Sequence, residues 1–285
     1  MGNHSDIIMA ASVLVDVHTH LTDEEFTQDI DDVISKAKEA GLAAVVAVSE
    51  SAADFTKVLA LADRYPDFVA PCLGLHPVQK VTEGGEGAFG ERSVSVKEFE
   101  DAEHLLEEHS HRLTAIGEIG LDFTPRWCKT PEDKAAQREV LSRQVKLAQK
   151  HDLPINVHSR SAGQPTINLL KDLGASKVLL HAFDGRASVA LSGVQCGYYF
   201  SVPPSICRSP QTQKLVSTLP LSHLVLETDS PALSPEKGVR NVPANVNISC
   251  EWIAQIKKVS VDEVREITTQ NAIKLFPTLA KLVRR

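Results

Sequence analysis

The hydrophobic positions of this chain fall into short runs that alternate with longer stretches of helical spacing. Eight runs rich in β-branched residues have the length of buried strands, at residues 13–17, 43–48, 68–73, 113–117, 153–157, 177–181, 194–200 and 223–227. Helices are predicted at residues 24–39, 52–64, 97–109, 133–150, 165–173, 186–193, 210–219, 246–258 and 261–275. Strands alternating with helices in this way predict an α/β fold, a single (β/α)8 TIM barrel that forms one domain over residues 1–285.

Two local patterns refine this outline. Thr130 precedes Pro131, and Asp133 follows within one turn, which is typical of an N-cap, a proline at the first helical position and an acid near the helix start. The stretch TEGGEGAFGERS at 82–93 is rich in glycine and glutamate. It predicts a mobile loop after the third strand.

The composition places the chain among globular proteins of reducing compartments. Hydrophobic residues make up 42% of the chain and charged residues 24%, and runs such as LAAVVAV at 42–48 are too short to cross a bilayer. The opening MGNHSD lacks the basic region of a secretory signal. The five cysteines follow neither a disulfide nor a zinc-ribbon spacing, so we expect an intracellular protein, cytoplasmic or nuclear.

The net charge limits how the chain can meet a nucleic acid. With neutral histidines it is −7, which does not indicate a broad basic surface for binding along DNA. If the substrate is a phosphodiester, local positive charge must come from bound metal ions and a few arginine side chains.

The chemically suggestive side chains lie at the carboxyl ends of the predicted strands. They are His18 and His20 in VDVHTH, then His76, Glu118, His158, His181 and Asp229. In an α/β barrel these ends converge on the face where active sites are built. Alternate residues of a strand point the same way, so His18 and His20 can enter the barrel mouth together.

Imidazole and carboxylate groups in one cavity suit borderline divalent cations. Each group alone has an ordinary explanation, because a single buried histidine usually finds a hydrogen bond and a single acid often caps a helix or pairs with a base. Six such groups at five strand ends predict a metal site instead. Glu118 is the natural bridge between two ions, which at about 3.5 to 4 Å separation could clamp both oxygens of a phosphoryl displacement and lower the pKa of a bound water.

These residues resemble the TatD-type metal-dependent deoxyribonucleases, a family of amidohydrolase-like, metallo-dependent hydrolase barrels, and its vertebrate members above all. The resemblance extends over nearly the whole chain. It rests on VDVHTHL at 15–21, LGLHP at 73–77, AIGEIGLDF at 115–123, PINVHSR at 154–160, LLHAFDG at 179–185 and VLETDSPALSP at 225–235.

The resemblance implies a role for each residue. His18, His20, Glu118 and Asp229 would hold one metal ion, and Glu118, His158 and His181 the other, with zinc, magnesium or manganese as the ions. Asp229 would also orient the attacking water and take its proton, so Asp229 and Glu118 are the expected catalytic residues. His76 and Arg160 would contact the substrate phosphate, although a loop salt bridge is an equally good explanation for Arg160.

Some positions depart from the family or stay ambiguous. Val242 stands in RNVP at 240–243 where the family often has a glutamate, and Ala182 and Asp184 stand where many relatives have cysteine and serine or threonine. Asp122 either supports a metal ligand or caps a helix. Trp127 either stacks on a base or packs in the protein.

The leading hypothesis is hydrolysis of DNA phosphodiester bonds by a hydroxide activated by two metal ions. The family implies a 3′–5′ exonuclease that acts on ends or single strands and nicks at abasic sites, in DNA repair or degradation, and we expect a monomer. One alternative is an amidohydrolase-type enzyme for small esters, lactones or amides, since one ligand pattern serves several reactions. That alternative would favour a bridging lysine, whereas the fourth strand offers Glu118. A silent scaffold or nucleic-acid-binding module is the third reading.

Overall fold

Eight parallel strands form a near-closed barrel in the computed structural model, which describes residues 13–81 and 90–283. The strands in chain order are β1 (Leu14–Thr19), β2 (Leu42–Val48), β3 (Val69–Leu73), β4 (Val78–Lys80), β5 (Glu91–Ser93), β6 (Ala115–Gly120), β7 (Ile155–His158), β8 (Val178–Leu180), β9 (Tyr199–Val202) and β10 (Leu224–Leu226). β4 and β5 form a separate antiparallel pair, and the other eight strands lie in the barrel in sequence order. The predicted (β/α)8 fold is confirmed.

Helices follow the barrel strands as the spacing predicted. They are α1 (Ile30–Glu39), α2 (Ala52–Arg64), α3 (Val96–His109), α4 (Pro131–Lys150), α5 (Gly163–Asp172), α6 (Ala187–Val194), α7 (Pro210–Thr218), α8 (Val246–Lys257), α9 (Val261–Leu275) and α10 (Ala280–Val283). The start of α4 has the predicted form, with Thr130 accepting from the Asp133 amide and the Asp133 carboxylate accepting from the Thr130 amide. No helix in residues 13–81 and 90–283 is long and apolar enough to cross a membrane.

The predicted helix at 24–39 is interrupted. A 3₁₀ turn, Glu24–Phe26, comes first, and α1 begins only at Ile30. The Glu25 carbonyl accepts a hydrogen bond from the Arg240 guanidinium, which also binds the Asp29 carboxylate. In a continuous helix the Glu25 carbonyl would accept from the Asp29 amide. Here the Arg240 side chain, from a distant loop, donates to that carbonyl instead.

The predicted loop at 82–93 is wrong at its end. Residues 82–89 lie outside the described part of the chain, but Glu91–Ser93 is a strand that pairs with Val78–Lys80. The buried Gln137 side chain donates to the Ser93 hydroxyl at 3.1 Å and draws this strand against α4.

The seventh predicted strand, at 194–200, is shorter than the apolar run. Val194 ends α6, and Gly197, at φ +82°, turns the chain before β9 begins.

The barrel closes between β1 and the segment after β10. The Asp16 carboxylate is buried and accepts hydrogen bonds from the Thr228 amide at 3.0 Å and the Thr228 hydroxyl at 2.5 Å. The Asp229 amide donates to the His18 carbonyl, and the His20 amide donates to the Ser230 carbonyl. This seam fixes His18, His20 and Asp229 side by side, so Asp16 holds the backbone instead of entering the cavity.

The C-terminal segment covers the opposite end of the barrel. Phe276 and Leu279 are fully buried in a cluster with inward-facing strand residues such as Val17 and Val46. Thr269 and Thr278 bond to residues that precede β1 and β6, which places this segment at the amino-terminal ends of the strands. The carboxyl-terminal end therefore remains as the open mouth.

Candidate metal centre

Every sequence-predicted ligand lies at the open mouth. His18 and Glu118 lie within the last three residues of β1 and β6, His158 is the last residue of β7, and His181 follows β8 directly. Asp229 lies three residues beyond β10 at φ +55°, a left-handed conformation that carries its side chain back toward β1. Five segments thus bring six side chains together, as the convergence of strand ends requires.

Four atoms from β1, β6 and the segment after β10 face one point. The Nε2 atoms of His18 and His20 lie 3.2 Å apart. The Glu118 Oε2 atom lies 3.5 Å from His18 Nε2 and 3.4 Å from His20 Nε2. Asp229 Oδ1 is 3.4 and 3.2 Å from the same two nitrogens. Two ligands of a tetrahedral zinc ion, each about 2.1 Å from the metal, are about 3.4 Å apart, so this donor set fits a divalent cation.

The other oxygen of Glu118 faces a second group. Glu118 Oε1 lies 2.9 Å from His158 Nδ1 and 2.8 Å from His181 Nε2, and these two nitrogens are 3.2 Å apart. Glu118 is therefore shared between two groups of potential ligands, one on each oxygen. Uncharged imidazole nitrogens this close need a common proton or cation between them, so this group also fits a divalent ion.

The imidazoles that converge here are oriented from behind by buried polar side chains. The Asn156 carboxamide oxygen lies 2.9 Å from His18 Nδ1, and its nitrogen donates to the Val17 carbonyl. Asp122 Oδ2 lies 3.1 Å from His158 Nε2, while its other oxygen accepts from the Thr124 amide. Asp122 thus both supports a candidate ligand and caps a turn. Such partners fix the tautomer and orientation of a metal-binding histidine.

Glu227 is a partner that the sequence analysis missed. Its Oε2 lies 3.7 Å from His181 Nδ1, and its oxygens accept from the Ala182 amide at 2.9 Å and the Ser201 hydroxyl at 2.6 Å. Glu227, His18 and His181 also lie close enough to hold an ion, but both oxygens of Glu227 are already engaged. Asn156 and Glu227 precede His158 and Asp229 by two residues, a spacing that could have identified them.

Burial and neighbouring charges strongly shift the pKa values of the candidate ligands. Burial opposes protonation of His18 and His20, but the nearby Glu118 and Asp229 carboxylates outweigh it and raise the pKa of His18 to about 10 and of His20 to about 9. His181 follows the same pattern, with burial overcome mainly by Glu118 and a pKa of about 10. Burial likewise opposes ionisation of Glu118, yet His181 and His18 hold its pKa well below the usual value. The site attracts positive charge.

His76 and Arg160, the predicted phosphate contacts, both line the cavity above these groups. His76 Nε2 lies 3.5 Å from Glu118 Oε1, and burial lowers its pKa to about 4, so its imidazole is neutral. Arg160 is exposed and forms no salt bridge with any described residue.

The cavity above the ligand groups has a volume of about 400 Å³, near the lower end of the range for ligand sites. Among the described residues, the rim carries more acidic than basic side chains. The rim acids are Asp23, Glu50, Glu91 and Asp184, and the rim bases are Lys80 and Arg160. A cavity of this size suits a small ligand or the end of a polymer better than the flank of a duplex.

The similarity of this chain to known proteins is consistent with a metal centre at this site. Residues 15–277 match the family described as TatD related DNase. The chain belongs to the TatD family. It is 57% identical to deoxyribonuclease TATDN3 of Homo sapiens over 272 residues, covering 95% of this chain and 97% of that protein. It is 32% identical to the metal-dependent hydrolase YabD of Bacillus subtilis, covering 93% of this chain and 99% of that one. The predicted family and its metal-dependent hydrolase chemistry are confirmed.

The crystal structure of YjjV, a TatD homologue from Escherichia coli, has the same fold. It superposes with a TM-score of 0.80 at 28% identity and covers 94% of this chain and 99% of that one.

One departure from the TatD pattern is explained by the structure. Val242 packs partly buried against the core where the family often has glutamate. Arg240 in the same motif binds the Asp29 carboxylate through both guanidinium nitrogens, at 2.9 and 2.6 Å. Asp29 therefore supplies an acid that anchors this arginine without a glutamate at 242. Asp184 lies at the cavity rim and Ala182 donates its amide to Glu227, so neither side chain belongs to the ligand groups.

Proposed function

We propose that this protein hydrolyses phosphodiester bonds of DNA with two divalent metal ions. One observation carries the proposal: Glu118 presents one oxygen to His18, His20 and Asp229 and the other to His158 and His181. His18, His20, Glu118 and Asp229 would hold the first ion, and Glu118, His158 and His181 the second. Bound zinc, magnesium or manganese would supply Lewis acidity and a water of lowered pKa.

The remaining site residues have roles that follow from their positions. Asp229 lines the cavity, and its hydrogen bonds with His18 and His20 overcome burial and hold its pKa well below the usual value. Its carboxylate is therefore ionised and can orient a water and accept its proton. In the tautomer whose Nδ1 accepts from the Val78 amide, the neutral His76 ring can donate its Nε2–H to a phosphate oxygen, and Arg160 can reach a second oxygen from the rim.

We further propose that DNA ends, not continuous duplex, are the substrate. The cavity of about 400 Å³ has room for little more than a terminal nucleotide, and its acidic rim disfavours tracking along a phosphate backbone. This supports a 3′–5′ exonuclease, with nicking at abasic sites as a related activity because the missing base leaves the backbone accessible.

The test uses the full chain loaded with zinc, magnesium or manganese in turn. Single-stranded, recessed and nicked oligonucleotides, labelled at the 5′ end, should be shortened one nucleotide at a time from the 3′ end. An oligonucleotide with an internal abasic site should be nicked at that site. Glu118→Ala and Asp229→Ala should abolish this activity. Unchanged activity in both variants would refute the proposal, and cleavage of lactones or amides without cleavage of DNA would favour the amidohydrolase alternative.

The proposal also covers the domain organisation, the oligomeric state and the cellular location of the protein. The barrel strands and their helices extend from Leu14 to Val283, which supports one domain. All the proposed ligands come from one chain, which supports an active monomer. All five cysteines are free, which supports an intracellular location, cytoplasmic or nuclear.

A further inference from the structure

The two tryptophans of the chain have different surroundings. Trp252, on α8, packs against the large core cluster between the barrel and its helices. Trp127 packs against neither of the two core clusters found among the described residues, and lines the cavity above the candidate metal centre. A large aromatic side chain that is half-buried at a cavity wall, away from the core, is better placed to contact a ligand than to stabilise the fold.

The loop that carries Trp127 is firmly attached to the site. The Asp122 amide donates to the Gln137 carboxamide oxygen at 2.8 Å, and the Gln137 nitrogen donates to the Asp122 carbonyl at 2.9 Å. Asp122 in turn contacts His158, a candidate ligand, through its carboxylate. Trp127 lies five residues further on, where its amide donates to the Thr124 carbonyl. The backbone that carries the indole is therefore anchored beside the candidate metal ligands.

The surroundings of the indole suit a base attached to a phosphate. The Arg126 guanidinium lies 5.7 Å from the indole centroid, an arrangement that stabilises a planar stack. Lys80 and Arg160 line the same cavity and can neutralise phosphate charge on either side of a stacked base.

We propose that Trp127 forms a nucleobase-stacking subsite for the nucleotide next to the scissile phosphate. This inference rests on the proposed phosphodiester hydrolysis and adds that the enzyme contacts a base as well as the backbone. Every base has a π-face, so such a subsite binds any nucleotide without reading sequence. It would favour intact terminal nucleotides over residues that lack a base.

The experiment compares two oligonucleotides that differ only at the end, one with a normal terminal nucleotide and one with an abasic terminal residue. Trp127→Ala should raise KM for the normal substrate by about tenfold, with little change in kcat or in KM for the abasic substrate. Trp127→Phe should restore most of the affinity, since phenylalanine also stacks. Trp252→Phe is the matched control and should leave KM for both substrates unchanged.

Other outcomes would overturn the inference. Equal losses on both substrates, or a fall in metal content, would assign Trp127 a structural role, and no loss on either would show that it touches no base. If the wild-type enzyme cleaves no oligonucleotide, the proposed function fails, and stacking is then tested alone in the Trp252→Phe protein. There a deoxynucleoside monophosphate should quench Trp127 fluorescence while deoxyribose 5-phosphate does not, and equal quenching by both would exclude base stacking.

Discussion

The floor and the rim of the cavity are built in different ways. Floor residues such as His18, Glu118 and His181 are buried on or beside barrel strands. The Asn156 side chain orients His18, and the Glu227 carboxylate lies 3.7 Å from His181 Nδ1. Rim residues such as Lys80, Arg160 and Asp184 are exposed, and the two basic ones form no salt bridge with any described residue. A buried, closely packed floor suits reaction chemistry, and an exposed, charged rim suits a substrate that varies in sequence.

Substitutions in the floor and in the rim should therefore impair different properties of the enzyme. Loss of a floor group leaves buried charges unbalanced, which affects both metal content and catalysis. Loss of a rim group removes one contact in a high-dielectric environment, which affects substrate affinity and its salt dependence. The following variants test this difference.

Replacing the shared floor carboxylate should have the largest effect. Glu118→Gln keeps the shape of the side chain but removes the charge that faces both ligand groups, so kcat should fall by at least about 1000-fold. Metal content measured by elemental analysis should fall in parallel. Glu108→Gln on the exposed face of α3 is the control. Full metal content together with normal kcat in Glu118→Gln would contradict the shared role.

The pH dependence of metal binding should be the next largest effect. With pKa values of about 10 for His18 and His181 and about 9 for His20, the metal-free imidazoles carry protons that a cation must displace. Affinity should therefore rise with pH, by about 100-fold between pH 6 and pH 8 for each proton that an ion displaces. Isothermal titration calorimetry in buffers of different ionisation enthalpy would count the protons released.

The same shifts predict an opposite trend for the metal-free protein. Imidazolium–carboxylate contacts stabilise that form fully below the ordinary histidine pKa of 6.5, and this contribution is lost as pH rises through 9 to 10. The Tm of the metal-free protein should thus fall as pH rises. Over the same pH range, the increase in Tm that added metal causes should become larger. Parallel trends for both forms would show that these histidines do not compete with the cation.

An intermediate effect is expected behind the floor. Glu227→Gln removes the charge beside His181 Nδ1 but keeps a side chain that can accept from the Ala182 amide, so affinity for the second ion should fall by about 10- to 100-fold. Ser201→Ala, which removes only the hydroxyl that donates to Glu227, should have a smaller effect. Metal affinity unchanged by Glu227→Gln would show that the Glu227 charge does not act on the second ion through His181.

At the rim, Arg160→Ala should raise KM for an oligonucleotide by about tenfold and leave metal content unchanged. Arg160→Lys should recover part of this loss, because lysine keeps the charge but not the two-nitrogen geometry. The difference between wild type and Arg160→Ala should shrink as salt concentration rises. A loss of metal, or a difference that salt does not reduce, would place Arg160 in the floor.

The same division explains what the sequence could predict. Strands, helices and all six candidate ligands follow from hydrophobic periodicity and from the rule that parallel strand ends converge. Contacts between residues far apart in the sequence cannot be predicted from the local pattern of hydrophobic and polar residues. The Asp16–Thr228 seam and the Arg240–Asp29 pair, which interrupts the helix predicted at 24–39, each join residues about 200 positions apart. The position of Trp127 away from the core was equally invisible, because periodicity says nothing about a loop.

The smallest effect is expected at the family position that this chain has changed. In Val242→Glu the family residue is restored, but Arg240 is already bound through both nitrogens by Asp29. The new carboxylate would also displace an apolar side chain that packs against the core. We therefore expect no gain in activity, with kcat within about twofold of wild type, and a Tm lower by about 2 to 4 °C. A large rise in kcat would instead mean that the glutamate acts on the rim directly and that Asp29 does not replace it. Measuring kcat of Asp29→Asn alone and combined with Val242→Glu separates the two explanations. If Asp29 anchors Arg240 in place of the family glutamate, Val242→Glu should raise kcat more in the Asp29→Asn background than in the wild type.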